Sequence, residues 1–300
     1  MLKLLTRFLL SFILFLSLQG YAAAQLFEGD AGGGDAYVNE YTATGQPIAT
    51  PDISVGYAAG DLEGIAISGN DLFTADRYSG TVGEYNWTTG QAINSSFISL
   101  PFAGSFGITV SNNILYVTNN GTLYAFSISG TPTALWTDYI GASGGVAVSG
   151  SNVFAITNED GIGEYNALTG AVESANLVTG LYDTFGLTVS GNDLYTSSYG
   201  GGTVSEFTTS GQTVNATLIS GIPDGANGLA VGGNMLYVAD IDQVQEYNAT
   251  TGSYVRTINS GMEQANSVAF VAPEPSTWTL LWSGLSLLTF WRLRTRRTVS

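Results

Sequence analysis

Histidine and cysteine are both absent from the 300 residues, so chemistry in this chain rests on carboxylates, amides and hydroxyls. That removes Cys/His zinc sites, thiol nucleophiles, Ser-His-Asp triads and disulfides from consideration. The oxygen-bearing residues that recur at comparable places are Glu63, Asn227 and Asn266, each set immediately before a Gly- or Ser-aliphatic-Ala segment. A second set, Asp30, Asp76 and Asp240, closes segments of the Leu-Phe-Thr-Ala-Asp type. Carboxylate and amide oxygens are what a hard cation takes as ligands, and calcium is the cation they would suit. The same side chains would equally cap tight turns by accepting from neighbouring backbone N–H groups. No clear general base stands with them, and no phosphate-binding loop or other cofactor motif is present.

Positioning these residues is the work of a repeat. The motif containing Glu63-Gly64-Ile65-Ala66 returns with its glycine (or serine) at 107, 145, 186, 228 and 267, at intervals of 38 to 43 residues. A second motif ends in an aromatic at Tyr41, Tyr85, Phe126, Tyr165, Phe207 and Tyr247. Each unit reads as four strands rich in β-branched and aromatic residues, joined by Gly- and Asn-containing turns. Four strands in roughly 40 residues is the period of a β-propeller blade. The phase at the two ends decides the closure. Leu26 to Asp30 matches a second strand and Tyr37 to Tyr41 a third, whereas Asn266 to Val271 is a lone first strand. Joined, they complete one blade and remove the exposed sheet edges. The expected fold is therefore all-β, a six-bladed propeller over residues 25–272 whose closing blade is shared between N-terminal strands and the C-terminal strand.

In such a ring the first strand of each blade lines the central channel, and the antiparallel second strand returns to the same face. Glu63 is thus expected beside Asp76, Asn227 beside Asp240, and Asn266 beside Asp30, around one half of a mouth whose other half is Phe106, Gly144 and Phe185. The glutamates Glu40, Glu84, Glu164, Glu206 and Glu246 precede the third-strand aromatic in five of six blades, with Ala125 the exception, which points to blade structure.

In pattern, the whole of residues 25–272 resembles the six-bladed propellers of the NHL and gluconolactonase kind. The resemblance implies a central metal held by Glu, Asn and Asp at the leading ends of the first strands, and Glu63, Asn227 and Asn266 match those places by type. It also implies two functions: a non-catalytic binding or structural disc, or a calcium-dependent lactonase-like hydrolase. A streptogramin-lyase-like activity, which relies on histidine in that family, does not fit a chain with none.

Two segments do not look globular. Residues 1–24 carry Lys3 and Arg7, an apolar run from Phe8 to Leu18 and Ala22-Ala23-Ala24, the order of a secretory signal helix cleaved after Ala24. Residues 273–300 begin with Pro273-Glu274-Pro275, continue through an apolar stretch from Trp278 to Trp291 and finish with Arg292, Arg294, Arg296 and Arg297. The stretch is short for a membrane-spanning helix, with a basic stop that favours the cytoplasmic side. The three elements in this order resemble the PEP-CTERM sorting tail. That resemblance implies export through the Sec machinery, transient anchoring in the inner membrane of a Gram-negative bacterium, processing by an exosortase, and delivery to the cell surface or an exopolysaccharide matrix. Partners on this reading are exopolysaccharide or a surface protein.

Charge sharpens the picture of the body. Two of the eight bases, Arg77 and Arg256, and 23 of the 24 acids fall within residues 25–272, a formal −21. Such a surface excludes a nucleic-acid partner, whose phosphates require bases. With only 11% charged and 44% hydrophobic residues, the chain is no disordered acidic tail either.

Overall fold

The computed structural model describes residues 24–272 apart from 33, 49–52, 59, 143, 159 and 259–263. The expected signal helix and the sorting tail with its apolar stretch lie outside the described residues. Among the described residues no helix is long and apolar enough to cross a membrane.

Every strand described belongs to one of six four-stranded antiparallel sheets, numbered here as blades 1 to 5 (residues 62–99, 105–139, 146–178, 184–220 and 229–258) and a closing blade. The closing blade is ordered Ala265–Val271, Gln25–Asp30, Asp35–Thr42, Ile53–Ala58 from the inside out. The two ends of the chain therefore pair, from Gln25 opposite Val271 to Asp30 opposite Ala265, as the phase of the repeat predicts. A ring closed in this way leaves no inner edge strand open to another chain.

Both faces of each sheet are buried against the neighbouring blades, so the middle strands are apolar on both sides rather than alternating. The second strand of blade 1, Asp71–Asp76, is buried from Leu72 onward, and Ile114–Asn119 is buried throughout. The outermost strands, such as Gln91–Ser99, are largely exposed. Between third and fourth strands a recurring turn holds the chain. The Asn86 Oδ1 accepts from Thr89 N (3.0 Å) and the Asn248 Oδ1 from Thr250 N (3.1 Å) and Thr251 N (2.9 Å). Gly90 and Gly252 then adopt φ of 69° and 66°, the left-handed region that favours glycine.

Blades are stitched to one another where the innermost strands begin. Thr118 Oγ1 donates to Gly144 O (2.7 Å), Gly145 N to Phe185 O (2.8 Å), Ser197 Oγ to Asn227 O (2.6 Å) and Gly228 N to Asn266 O (3.0 Å). The repeated glycine of the Gly-aliphatic-Ala motif owes its place to this approach. A Cβ on Gly107, Gly145, Gly186 or Gly228 would run into the backbone of the next blade.

Candidate functional site

The innermost strands bring one aliphatic residue per blade to the axis: Ile65, Ile108, Val146, Leu187, Leu229 and Val268, all buried. These six border both the upper cavity, about 70 Å³, and the lower one, about 210 Å³, and so form an apolar constriction between them. The upper cavity is the predicted mouth. Glu63, Asn266 and Phe185 line it together with the glycines of the repeat. Its volume suits a few water molecules or one ion and falls well below the ~300 Å³ at which ligand pockets begin.

A β-bulge puts Glu63 and Asn266 there. In blade 1 the pairing shifts between Leu62 and Gly64, so Asp76 opposes Leu62 and Glu63 is the extra residue. In the closing blade Asp30 opposes Ala265, Gly29 opposes Ser267, and Asn266 is extra. An extra residue turns its side chain away from the ladder and toward the axis.

The aspartates expected beside the mouth stand elsewhere. Asp30, Asp76 and Asp240 do not line the cavity. Asp76 holds the turn that follows it, accepting from Tyr78 N (2.8 Å) and Ser79 N (3.0 Å) through Oδ1. Asp30 Oδ1 accepts from Gly32 N (2.9 Å) and Gln264 N (3.0 Å), and Asp240 accepts from Asp224 N (3.2 Å) and the Gln243 and Gln245 amides. A one-residue change of register moves a side chain to the other face, which separates Asp76 from Glu63 and Asp30 from Asn266.

Asn227 is buried but is not among the residues bordering the cavity. Its Nδ2 donates to Ala265 O (3.4 Å), and the Nδ2 of Asn266 donates to Leu62 O (3.2 Å), so each amide ties its blade to the next. Glu63 is engaged by Arg77, whose Nη1 lies 2.7 Å from its Oε1. Burial pushes the Glu63 carboxyl above the usual range, with the guanidinium opposing that shift. One carboxylate already held by a guanidinium and two amide oxygens fall short of the six to eight oxygens that calcium takes. Arg77 is the partner that motif reading missed; its adjacency to Asp76 and its rarity as one of two bases in the body were the available signal. The other base, Arg256, pairs with buried Glu246 and donates from Nη2 to Ala43 O (2.9 Å) in the closing blade.

The third-strand glutamates belong to the blades, as their repetition suggests. Gln25 Nε2 donates to Glu40 (2.5 Å) and Asn152 Nδ2 to Glu164 (2.6 Å). At the same place blades 1 and 4 carry Asp71 and Asp193, and burial followed by these like charges raises the carboxyls of Glu84 and Glu206. A carboxyl whose folded pKa exceeds its unfolded value binds more protons in the native state between the two values. Its unfavourable contribution is complete above the folded pKa and is relieved as pH falls toward the unfolded value near 4.3. Thermal melting is therefore expected to rise as pH is lowered from neutrality toward that unfolded value. Asp71→Asn and Asp193→Asn, which copy Asn152, should each stabilise at pH 7 by roughly 0.2–1 kcal/mol and flatten that slope. An unchanged slope in the double variant would remove the like-charge explanation.

Around the mouth the same face carries exposed rings. Innermost strands begin on this face, second strands end there, third strands begin there and outermost strands end there. Tyr78, Phe102, Tyr182 and Tyr199 stand in those connections, Tyr139 ends its outermost strand there, and all five are exposed. Arg77 lies over the Tyr78 ring, 5.5 Å from its centroid.

Sheet order, closure and the channel define the class of protein: a six-bladed β-propeller. No family model and no curated protein matches the chain. Among solved structures it is similar to a chain of the crystal structure of a nidogen/laminin complex, with a TM-score of 0.66 and 14% identity, covering 83% of this chain and 99% of that one. A second similarity is to the crystal structure of the computationally designed Ika8 protein, at a TM-score of 0.49 and 18% identity over 78% of this chain and 74% of the other. The first likeness supports the fold; it carries no function.

Proposed function

We propose that this protein is a non-catalytic binding propeller, exported and sorted to the cell surface or matrix by its tail, that holds a neutral polysaccharide through the mouth face. The observation that carries this is the set of exposed rings, Tyr78, Phe102, Tyr139, Tyr182 and Tyr199, on one face of a body with formal charge −21. Exposed aromatic side chains gathered on one face are costly to leave in water and mark a contact surface. An anionic polymer would be repelled by the acid excess, since the body has only Arg77 and Arg256 as bases and both are paired with buried glutamates. The small mouth, with its engaged glutamate, suits this reading better than turnover of a substrate. Processing of the Pro273-Glu274-Pro275 tail by an exosortase would leave the body where such polymers are.

The test is retention of the full chain, in mild detergent, on immobilised neutral and acidic polysaccharides. Retention by neutral polymers is expected, reduced at least fivefold in the triple variant Tyr78→Ala/Phe102→Ala/Tyr139→Ala. Lactone hydrolysis that disappears in Glu63→Gln, with no polymer retained, would replace this reading with a hydrolase.

A further inference from the structure

The largest of the three cavities described lies away from the axis, between blades 3 and 4, and its volume is about 330 Å³. Its wall carries hydroxyl side chains, including Thr196, Ser198, Thr203 and Ser205, beside Leu181, Ala216 and the rings of Phe207 and Tyr182. No charged side chain lines it.

The repeat shows what this space accommodates. Between the closing blade and blade 1 the corresponding place is filled by the protein's own Tyr57. The Tyr57 hydroxyl lies 2.9 Å from Thr74 Oγ1, and a Cβ on Gly83 would sit 2.9 Å from that hydroxyl. Strand register makes the correspondence: Thr74 opposes Gly83 as Thr196 opposes Ser205, and Leu72 opposes Tyr85 as Leu194 opposes Phe207. Tyr57 directly precedes Ala58, the partner of Asp35 at the start of its third strand. In blade 3 the fourth strand ends at Val178, which by its pairing with Ile162 corresponds to Ile53, the partner of Val38, and it is the connection from Thr179 to Tyr182 that borders the cavity. Where one inter-blade seam holds a six-membered ring with a hydroxyl on a threonine, the other holds an open cleft.

We infer that the cleft between blades 3 and 4 binds a neutral hexopyranose unit of a glycan, with Tyr182 as its stacking wall and Thr196 and Ser205 at its floor. This deepens the proposed polysaccharide binding and rests on it for the identity of the natural polymer. Three features select a sugar. Hydroxyls both donate and accept, matching a ring that carries several hydroxyls of its own, whereas one phenol would engage only one of them. The uncharged lining matches a neutral ring. The volume lies at the lower end of the ~300–1,000 Å³ range of ligand cavities, room for one ring and not a chain. Tyr182 is 71% exposed, so its face is available to a ligand.

The experiment uses the full chain in mild detergent, with ligand-observed NMR on a panel of methyl hexopyranosides and p-cresol, alongside the polysaccharide retention above. A methyl hexopyranoside is expected to bind, at least tenfold more weakly to Tyr182→Ala. It is expected not to bind detectably to Ser205→Phe, which puts a ring of the protein's own inside the cleft. Thermal melting within a few degrees of the parent establishes that both variants are folded. Polymer retained equally by parent and both variants, with no glycoside bound, overturns the cleft while leaving polysaccharide binding standing. Glycoside bound at the cleft with no polymer retained supports the cleft and overturns the polysaccharide reading. p-Cresol bound in place of every glycoside, and lost in the refilled variant, overturns the sugar assignment in favour of an aryl ligand. Binding of neither probe nor polymer overturns both.

Discussion

A chain ending at residue 264 is expected not to fold into a cooperative ring. Truncation there removes the strand Ala265–Val271, the whole inner partner of Gln25–Asp30. It also removes Val268 from the axial constriction, Asn266 from its bond to Leu62 O, and Phe270 from its stack on Tyr237 at 5.5 Å. Leu26 and Phe27, both fully buried, would lose their cover. Burying a large apolar side chain is worth about 1.5–3 kcal/mol. Several such losses together reach roughly 5–10 kcal/mol, the whole stability of an ordinary domain. The measurement is urea unfolding followed by near-UV circular dichroism, with the chain ending at 272 as reference. A circular permutant that joins 272 to 25 through a short Gly-rich linker and opens at the exposed turn between Thr250 and Thr251 should fold, because every strand keeps its partners. A cooperative transition in the truncated chain at the reference midpoint would show that closure contributes little.

The second large effect is expected from a single methyl group. Gly145→Ala should cost about 3 kcal/mol or more, because a Cβ there falls on Leu187 N and within 2.9 Å of Gly186 C. Those atoms are backbone of the next blade, held in place by Gly145 N donating to Phe185 O at 2.8 Å, so neither side can yield without opening the ring. Gly150→Ala is the control. Gly150 has φ of 60° and nothing within 4 Å of an added Cβ, so its cost is conformational alone, about 1–2 kcal/mol. Comparing the urea midpoints of the two variants separates close approach from backbone strain. If Gly145→Ala proved no more costly than Gly150→Ala, the blades would not be packed as tightly at the axis as the structure has them.

Both effects arise from a repeat that is visible in the sequence itself. The recurrence of the Gly-aliphatic-Ala motif and the phase of the terminal strands specified six blades and a shared closure, because strand period and blade period are local, repeated six times and insensitive to any one residue. The glycine of the motif was visible; its cause, the backbone of the next blade, was not, since that contact joins residues some 40 apart in sequence. Glu63 and Asn266 reached the predicted mouth because the leading end of an innermost strand is a topological position. Their expected companions Asp30 and Asp76 did not, because one bulge per strand shifts the register and no residue type announces a bulge.

Composition and spacing alone therefore determined the fold class, the acid excess of the body and the exclusion of thiol and imidazole chemistry. Only tertiary structure decided which polar groups meet. It gave Arg77 to Glu63, turned the amides of Asn227 and Asn266 into ties between blades, and left a cleft where the closing blade has Tyr57. The physical reason is that hydrogen bonds and cavities depend on positions matched to a few tenths of an ångström across different blades, while the propeller pattern requires only that each strand be apolar, short and punctuated by turns.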